Sequence, residues 1–272
     1  MCTGTTSAAW EAECLDRLVA LENTHSALLI IDRRAEARRV RRGPADRVRS
    51  LLRSDRMLWH LYERLLVDGK IKALASVDWS ARLQGVSVLA CDVSRRGGFS
   101  EYFSASDIEI IRGHELDFIL RFAFGIVRGE ILRVARYGVW SFHHDDEMRY
   151  RGGPPAFWEI YRGDPYTSVV LQRLTERLDG GVVLRKRAFE TVLYSYTRNR
   201  DVGLFGGAAW PAEVCRDLLA GKDEYLAGPP SASTAPIFHA PSNREMLQFA
   251  VTLCRNYVRH CVRSRRSTAP PE

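Results

Sequence analysis

Apolar positions along this chain follow two periods that alternate. Over residues 8–21, Trp10, Cys14, Leu15, Leu18, Val19 and Leu21 fall on one face at helical spacing. Residues 26–31 form an unbroken apolar run ending at Asp32, as in a strand buried on both faces. Helical spacing returns over 47–67 through Leu51, Leu52, Leu58, Leu61, Tyr62 and Leu65, and residues 86–91 read as a strand. Ser106 with Glu109 three positions on predicts a capped helix over 106–112. A strand is expected over 117–122, a helix over 129–136 and a strand over 139–143. Pro154 suits the first turn of a helix that runs through Phe157, Trp158 and Tyr161 to Gly163. Strands follow over 167–174 and 181–189, and from Tyr194 the pattern turns helical. Residues 228–236 are a Gly/Pro/Ser loop, 243–263 a closing helix and 264–272 a frayed tail.

Strands and helices in alternation, with few hairpin signals, predict an α/β fold: an open, mostly parallel Rossmann-like sheet with helices on both faces. The expected division is an α/β domain over 1–190, its N-terminal strand reduced, and a mostly helical extension over 191–272. The 272 residues suffice for a sizeable core, and 46% apolar with 27% charged residues is a globular composition. No run approaches the ~20 apolar residues of a membrane span. Residues 1–9 have neither a basic start nor an apolar core of a leader, so a cytoplasmic location without a membrane partner is expected. The six cysteines show no Cys-x-x-Cys spacing, which points to reduced thiols. No metal is expected: Cys254 and Cys261, seven apart with His260 beside them, would need two more ligands from elsewhere.

The formal charge of +7 is carried almost wholly by arginine, since only four residues are lysine. It concentrates at 33–56 and 255–266. Acids interleave the first cluster (Glu36, Asp46, Asp55), so solvated helix faces are expected rather than a nucleic-acid stripe.

The densest chemistry is Gly138-Val-Trp-Ser-Phe-His-His-Asp-Asp-Glu-Met-Arg-Tyr-Arg-Gly-Gly-Pro-Pro, followed by Leu178-Asp-Gly-Gly. An apolar run ends in a histidine pair, and a lone Asp179 sits among glycines after a later β-like run. Open α/β sheets gather such groups at the carboxyl ends of their strands. Taken singly, His143 is open to a reading as a core histidine and Asp179 as a turn residue.

Residues 117–189 resemble the folate-dependent formyltransferase domain shared by glycinamide ribonucleotide, methionyl-tRNA and sugar N-formyltransferases. The resemblance rests on the run 117–127 with its aromatic-Gly turn and on Gly138-x-x-Ser-Phe-His143, where the family has Gly-x-x-Asn-x-His. It rests equally on Arg149-Tyr-Arg-Gly-Gly-Pro154, Gly163-Asp164 and Leu178-Asp-Gly-Gly181. It implies a one-carbon transferase that uses 10-formyltetrahydrofolate to formylate a primary amine on a small molecule, an amino sugar or a specialised-metabolite amine. By resemblance His143 carries the proton and Asp179 holds it charged, with Ser141 at the family's Asn position. Phe122, Phe124, Gly125 and Ile126 line the folate, and His144, Arg149 and Arg151 are candidates for substrate contact.

Two departures stand out. Ser141 is shorter than Asn, so it acts through a water, or His144 substitutes, or the reaction has changed. Before the first helix there is room only for Met1–Ser7, with Gly4 as the remnant of the family's turn. A strand lost there leaves a gap in the sheet, and a homodimer is the expected way to cover it. A non-catalytic binding protein of the same fold, and a folate-independent acyltransferase or hydrolase using the same His/Asp pair, remain the alternatives.

Overall fold

The computed structural model describes residues 1–34, 55–97, 99–178 and 180–267. The expected helix over 47–67 therefore lies partly outside the described residues, as does most of the first arginine cluster. Its described end is helical, α2 (Met57–Tyr62) followed by a wider turn over Glu63–Val67.

The fold is mixed α/β. Strands β7 (Ile119–Arg121), β9 (Val139–His143), β11 (Tyr166–Arg173) and β12 (Val182–Glu190) form a sheet in the order β12-β11-β9-β7. The pair β7–β9 is parallel, while β9–β11 and β11–β12 are antiparallel, so the sheet is less parallel than the sequence pattern suggests. The loop between β11 and β12 is short enough to form a hairpin, and the apolar runs carry no mark of strand direction. Strands β2 (Leu28–Asp32) and β4 (Ser87–Cys91) form a parallel pair. Met1 and Cys2 join the two sets: Met1 bonds to Leu120 and Phe122 of one, Cys2 to Ile30 and Asp32 of the other. Smaller pairings flank these: β1 (Thr6–Ala8) with β3 (Ser76–Asp78), β5 (Ser94–Arg96) with β6 (Ser100–Tyr102), β6 with β8 (Ile126–Val127), and β10 (Arg151–Gly152) with β13 (Ile237–Phe238).

Side chains alternate across the sheet, so each face has its own core. Ile119 and Val139 pack with Ile108 and Ile111 of α3 (Ala105–Arg112) on one face. On the other, Leu120, Trp140 and Leu171 meet Trp10 and Cys14 of α1 (Ala9–Val19). The helices after the sheet, α5 (Tyr196–Gly207), α6 (Trp210–Leu219) and α7 (Asn243–Ser267), add Tyr196, Trp210 and Phe249 to that second core.

Local signals differ in three places. Ser104, not Ser106, caps α3, accepting from Asp107 N at 3.1 Å. The helix expected over 129–136 is a 3₁₀ turn at Glu130–Arg133. The closing helix continues to Ser267, beyond the expected start of the tail. Four of the six cysteines are buried free thiols, with Cys254 exposed and Cys261 half-buried. Among the described residues, no helix is long and apolar enough to cross a membrane and no group of metal-ligating side chains gathers.

Candidate active site

Strand alternation divides the histidine pair. Ser141 and His143 share the face of Val139, while Phe142 and His144 turn to the opposite face. His143, at the carboxyl end of β9, lies 3.1 Å from Tyr150 O through Nε2. A carbonyl only accepts, so Nε2 donates here and Nδ1 is the ring nitrogen left outside this contact. Tyr150 is itself fixed: its hydroxyl donates to Asp164, which also accepts from Arg149 Nη2 at 3.0 Å. The Gly163-Asp164 motif thus holds the loop against which His143 rests.

Ser141 is buried, and its hydroxyl oxygen accepts from Arg121 Nη2 at 2.9 Å and Nε at 3.2 Å. Those two bonds use both lone pairs, so the Ser141 proton remains for donation. The nearest backbone acceptor, Phe142 O at 3.5 Å, is too distant to hold it well. Arg121 was not singled out from the sequence; a charge inside an apolar strand was the available signal. It is half-buried, and loss of solvent lowers its pKa, opposed in part by the charge of Glu101. Its Nη1 also donates to Phe124 O at 3.0 Å and Gly125 O at 2.6 Å.

That anchors the aromatic-Gly turn from one side. From the other, Gly125 N donates to the buried Glu101 Oε2 at 2.7 Å. The approach is close: a Cβ at Gly125 would lie 3.1 Å from the Glu101 carboxyl carbon, so the carboxylate would have to shift. The four candidate folate residues do not share one surface. Phe122 packs edge-on against Trp10 (5.3 Å between ring centres), and Phe124 lies beside Phe103 (5.2 Å). Ile126 begins β8. A pteridine edge at this turn would use the second lone pairs of the Phe124 and Gly125 carbonyls, since the Gly125 N–H is committed to Glu101.

A second residue missed in the sequence is Gln172, opposite Ser141 in the β9–β11 register. Its Oε1 is buried without a hydrogen-bond partner, an acceptor placed for an incoming N–H. Gly181 comes so near that a Cβ there would sit 2.5 Å from the same oxygen, which returns the β11–β12 loop to the Ser141 face. Asp179, in that loop, lies outside the described residues.

The three candidates for substrate contact are engaged. The His144 ring stacks on Phe142 (5.8 Å) and meets the edge of Trp10 (5.1 Å). Burial first, then the charges of Arg200 and His143, lower its pKa to about 3, so it is neutral. Arg149 pairs with Asp164. Arg151 reaches Ala235 O at 3.3 Å and Leu178 O at 3.5 Å, tying the loop to its neighbours. Beneath the loop, Asp145 Oδ1 accepts from Ala156 N at 2.7 Å. Burial and the facing Glu159 push its carboxyl pKa well up, and burial does the same to Glu159.

No family model matches the chain. A methionyl-tRNA formyltransferase of Agathobacter rectalis is 35% identical over 82 residues, 30% of this chain and 26% of that protein. One from Lachnospira eligens is 29% identical over 143 residues, 50% of this chain and 43% of the relative. The chain thus spans less than half the length of these curated relatives. Among solved structures, glycinamide ribonucleotide transformylase 1 of Symbiobacterium toebii matches with TM-score 0.43 and 17% identity over 52% of this chain and 68% of its own. The formyltransferase PseJ of Anoxybacillus kamchatkensis, solved with a formamido UDP-sugar and tetrahydrofolate, matches with TM-score 0.40 and 12% identity over 78% of this chain and 85% of its own.

Proposed function

We propose that this chain, a divergent member of the folate-dependent formyltransferase family, moves a formyl group from 10-formyltetrahydrofolate to the primary amine of a small molecule. An amino sugar or a specialised-metabolite amine is the acceptor class. The observation that carries the reading is the convergence of the His143 imidazole, the Ser141 hydroxyl and the Gln172 carboxamide on one face of the sheet.

In this reading the amine nitrogen attacks the formyl carbon, and the carbonyl electron pair moves onto oxygen. The tetrahedral centre then collapses, breaking the bond to the donor nitrogen. One proton travels from the attacking to the departing nitrogen. His143, with Nε2–H spent on Tyr150, offers Nδ1 to carry it. Asp179, by resemblance, favours the charged imidazolium. Ser141, its lone pairs filled by Arg121, donates its proton to the developing oxyanion; a fixed donor of this kind is worth about 3 kcal/mol of barrier. Gln172 Oε1 accepts from the incoming amine. The folate supplies the formyl carbon, and the carbonyls of Phe124 and Gly125 are the groups available to bind its pteridine.

Formylation of methionyl-tRNA is the second reading, favoured by the curated relatives. Incubation with 10-formyltetrahydrofolate and a panel of amino sugars, with methionyl-tRNA alongside, separates the two: the product gains the mass of one carbonyl. Thermal melting with folates tests donor binding alone, since a ligand at a hundred times its Kd adds ~2.7 kcal/mol. Absence of any folate-dependent shift contradicts the proposal.

A further inference from the structure

The closing helix α7 has two faces that differ in what they touch. On the inner one Met246 and Phe249 are buried, and Phe249 stacks on Phe157 (4.4 Å between ring centres). Asn256 Nδ2 donates to Leu193 O at 3.2 Å, and the His260 ring lies on Tyr194 (3.7 Å). These contacts fasten the helix to the body along most of its length. The outer face carries Leu247 (62% exposed), Val251 (70%) and Val258 (60%), with exposed Cys254 and half-buried Cys261 beside them. It is a contiguous apolar face turned to solvent, the kind of surface that marks an interaction site.

The spacing on that face says what fits it. Leu247, Val251, Cys254, Val258 and Cys261 follow one another at intervals of four, three, four and three residues. An α-helix gathers such positions into one narrow stripe, the seam of a coiled coil. In a seven-residue repeat lettered a to g, Leu247, Cys254 and Cys261 take the d positions, and Val251 and Val258 the a positions. β-branched residues at a with Leu at d favour two strands in parallel. The stripe runs from Leu247 to Cys261, about 22 Å at 1.5 Å per residue. Two such stripes with their rims bury on the order of 1,000 Å² in total, the lower end of what a specific interface needs.

Charge sets the direction of pairing. Glu245 is the only acid in α7. Arg255 and Arg259 border the stripe along one edge, Ala250 and Tyr257 along the other. In an antiparallel pair like edges meet, so the two basic edges would repel. In a parallel pair the basic edge of each copy meets the uncharged edge of the other. A lipid surface would match the arginines, but helices that lie in a membrane interface present Trp, Phe and Leu. Valine and cysteine, compact at every position but Leu247, suit the close approach of a second helix instead.

We propose that the outer face of α7 is a self-association surface, through which two copies of this chain pair with their helices parallel and in register. Val251 and Val258 of each copy then meet their counterparts, as do Leu247, Cys254 and Cys261, about a two-fold axis that runs along the seam. The small area makes the pairing weak and dependent on concentration. This inference does not depend on the formyl-transfer reading.

The test uses the full chain. Sedimentation velocity should show a dimer that forms with rising concentration in the micromolar range. Val251→Lys with Val258→Lys, which sets like charges face to face at exposed positions, should weaken it by about tenfold or more and leave the circular dichroism unchanged. Cys2, Cys14, Cys91 and Cys215 are buried, so a short bismaleimide reads the thiols of α7. Cys254→Ser and Cys261→Ser, each keeping one α7 thiol, should both give covalent dimers. A monomer throughout that range, or a dimer indifferent to the two lysines, overturns the proposal. So does cross-linking through Cys254 but not through Cys261, because an antiparallel pair crossing near Cys254 holds the Cys261 thiols apart. A chain that stays monomeric and sediments with phosphatidylglycerol vesicles also overturns it, with a lipid surface then the occupant.

Discussion

Arg121 Nη2 and Ser141 Oγ lie 2.9 Å apart across the parallel pair β7–β9. The guanidinium fills the serine's acceptor capacity and leaves its proton to be given away. In the proposed reaction the short serine thereby has a directed donor to offer. Ser141→Ala should lower the formyl-transfer rate about 10²–10³-fold. It should also lower stability by about 1–3 kcal/mol, because Arg121 Nη2 and Nε lose their acceptor. Single-turnover rates beside urea midpoints check this.

Arg121 itself serves three acceptors: Ser141 Oγ, Phe124 O and Gly125 O. Arg121→Met strands all three in a buried setting and should cost on the order of 3 kcal/mol in urea denaturation. Arg121→Lys should recover little, because a lysine ammonium cannot reproduce the planar fork.

Acid and base should act on stability in opposite directions. His144 is held from 6.5 down to about 3. A depressed imidazole lets the unfolded chain bind a proton the folded one refuses, so its contribution is full above 6.5 and is lost as pH falls toward 3. Asp145 and Glu159 are raised from 3.8 and 4.5, so theirs is present below those values and lost as pH rises through the folded ones. His144→Phe, which suits the space between Trp10 and Phe142, should flatten the acid side of a plot of urea midpoint against pH. Glu159→Gln should flatten the side toward neutrality. Unchanged profiles in both variants would show that neither group is held as described.

Two glycines at positive φ separate clash from backbone strain. At Gly152 (φ +88°) a Cβ would lie 2.2 Å from Phe238 O, inside the β10–β13 pair. Gly152→Ala should cost on the order of 3 kcal/mol. Gly163 (φ +74°) ends α4 (Phe157–Arg162) with open space around it. Gly163→Ala should cost only about 1 kcal/mol, the conformational penalty alone. Chemical denaturation of the two variants gives the comparison.

Much of this was legible in the sequence because the relevant signals are local. The apolar run from Val139 and the periodicity of Trp10, Cys14 and Leu18 each appear as the element expected, while the helix expected from Pro154 begins three residues later, at Phe157. What escaped depends on distant partners. Arg121 reads as an oddity in an apolar strand until Ser141 and the Phe124 carbonyl are seen around it. Gln172 gains meaning only from its register with Ser141. His144 reads as a substrate contact beside His143, but strand alternation turns it against Trp10 of α1 and Phe142. The sheet is parallel where β7 meets β9 and turns antiparallel at β11, whose buried apolar run carries no mark of strand direction.

The central claim is tested most directly by isotopic transfer. With 10-formyltetrahydrofolate labelled at the formyl carbon, the chain should deliver label to an amino-sugar or related amine acceptor. His143→Asn should slow that transfer by about 10²–10⁴-fold while keeping the urea midpoint. Label that never leaves the folate with any amine offered, or transfer that survives His143→Asn at full rate, would contradict the account.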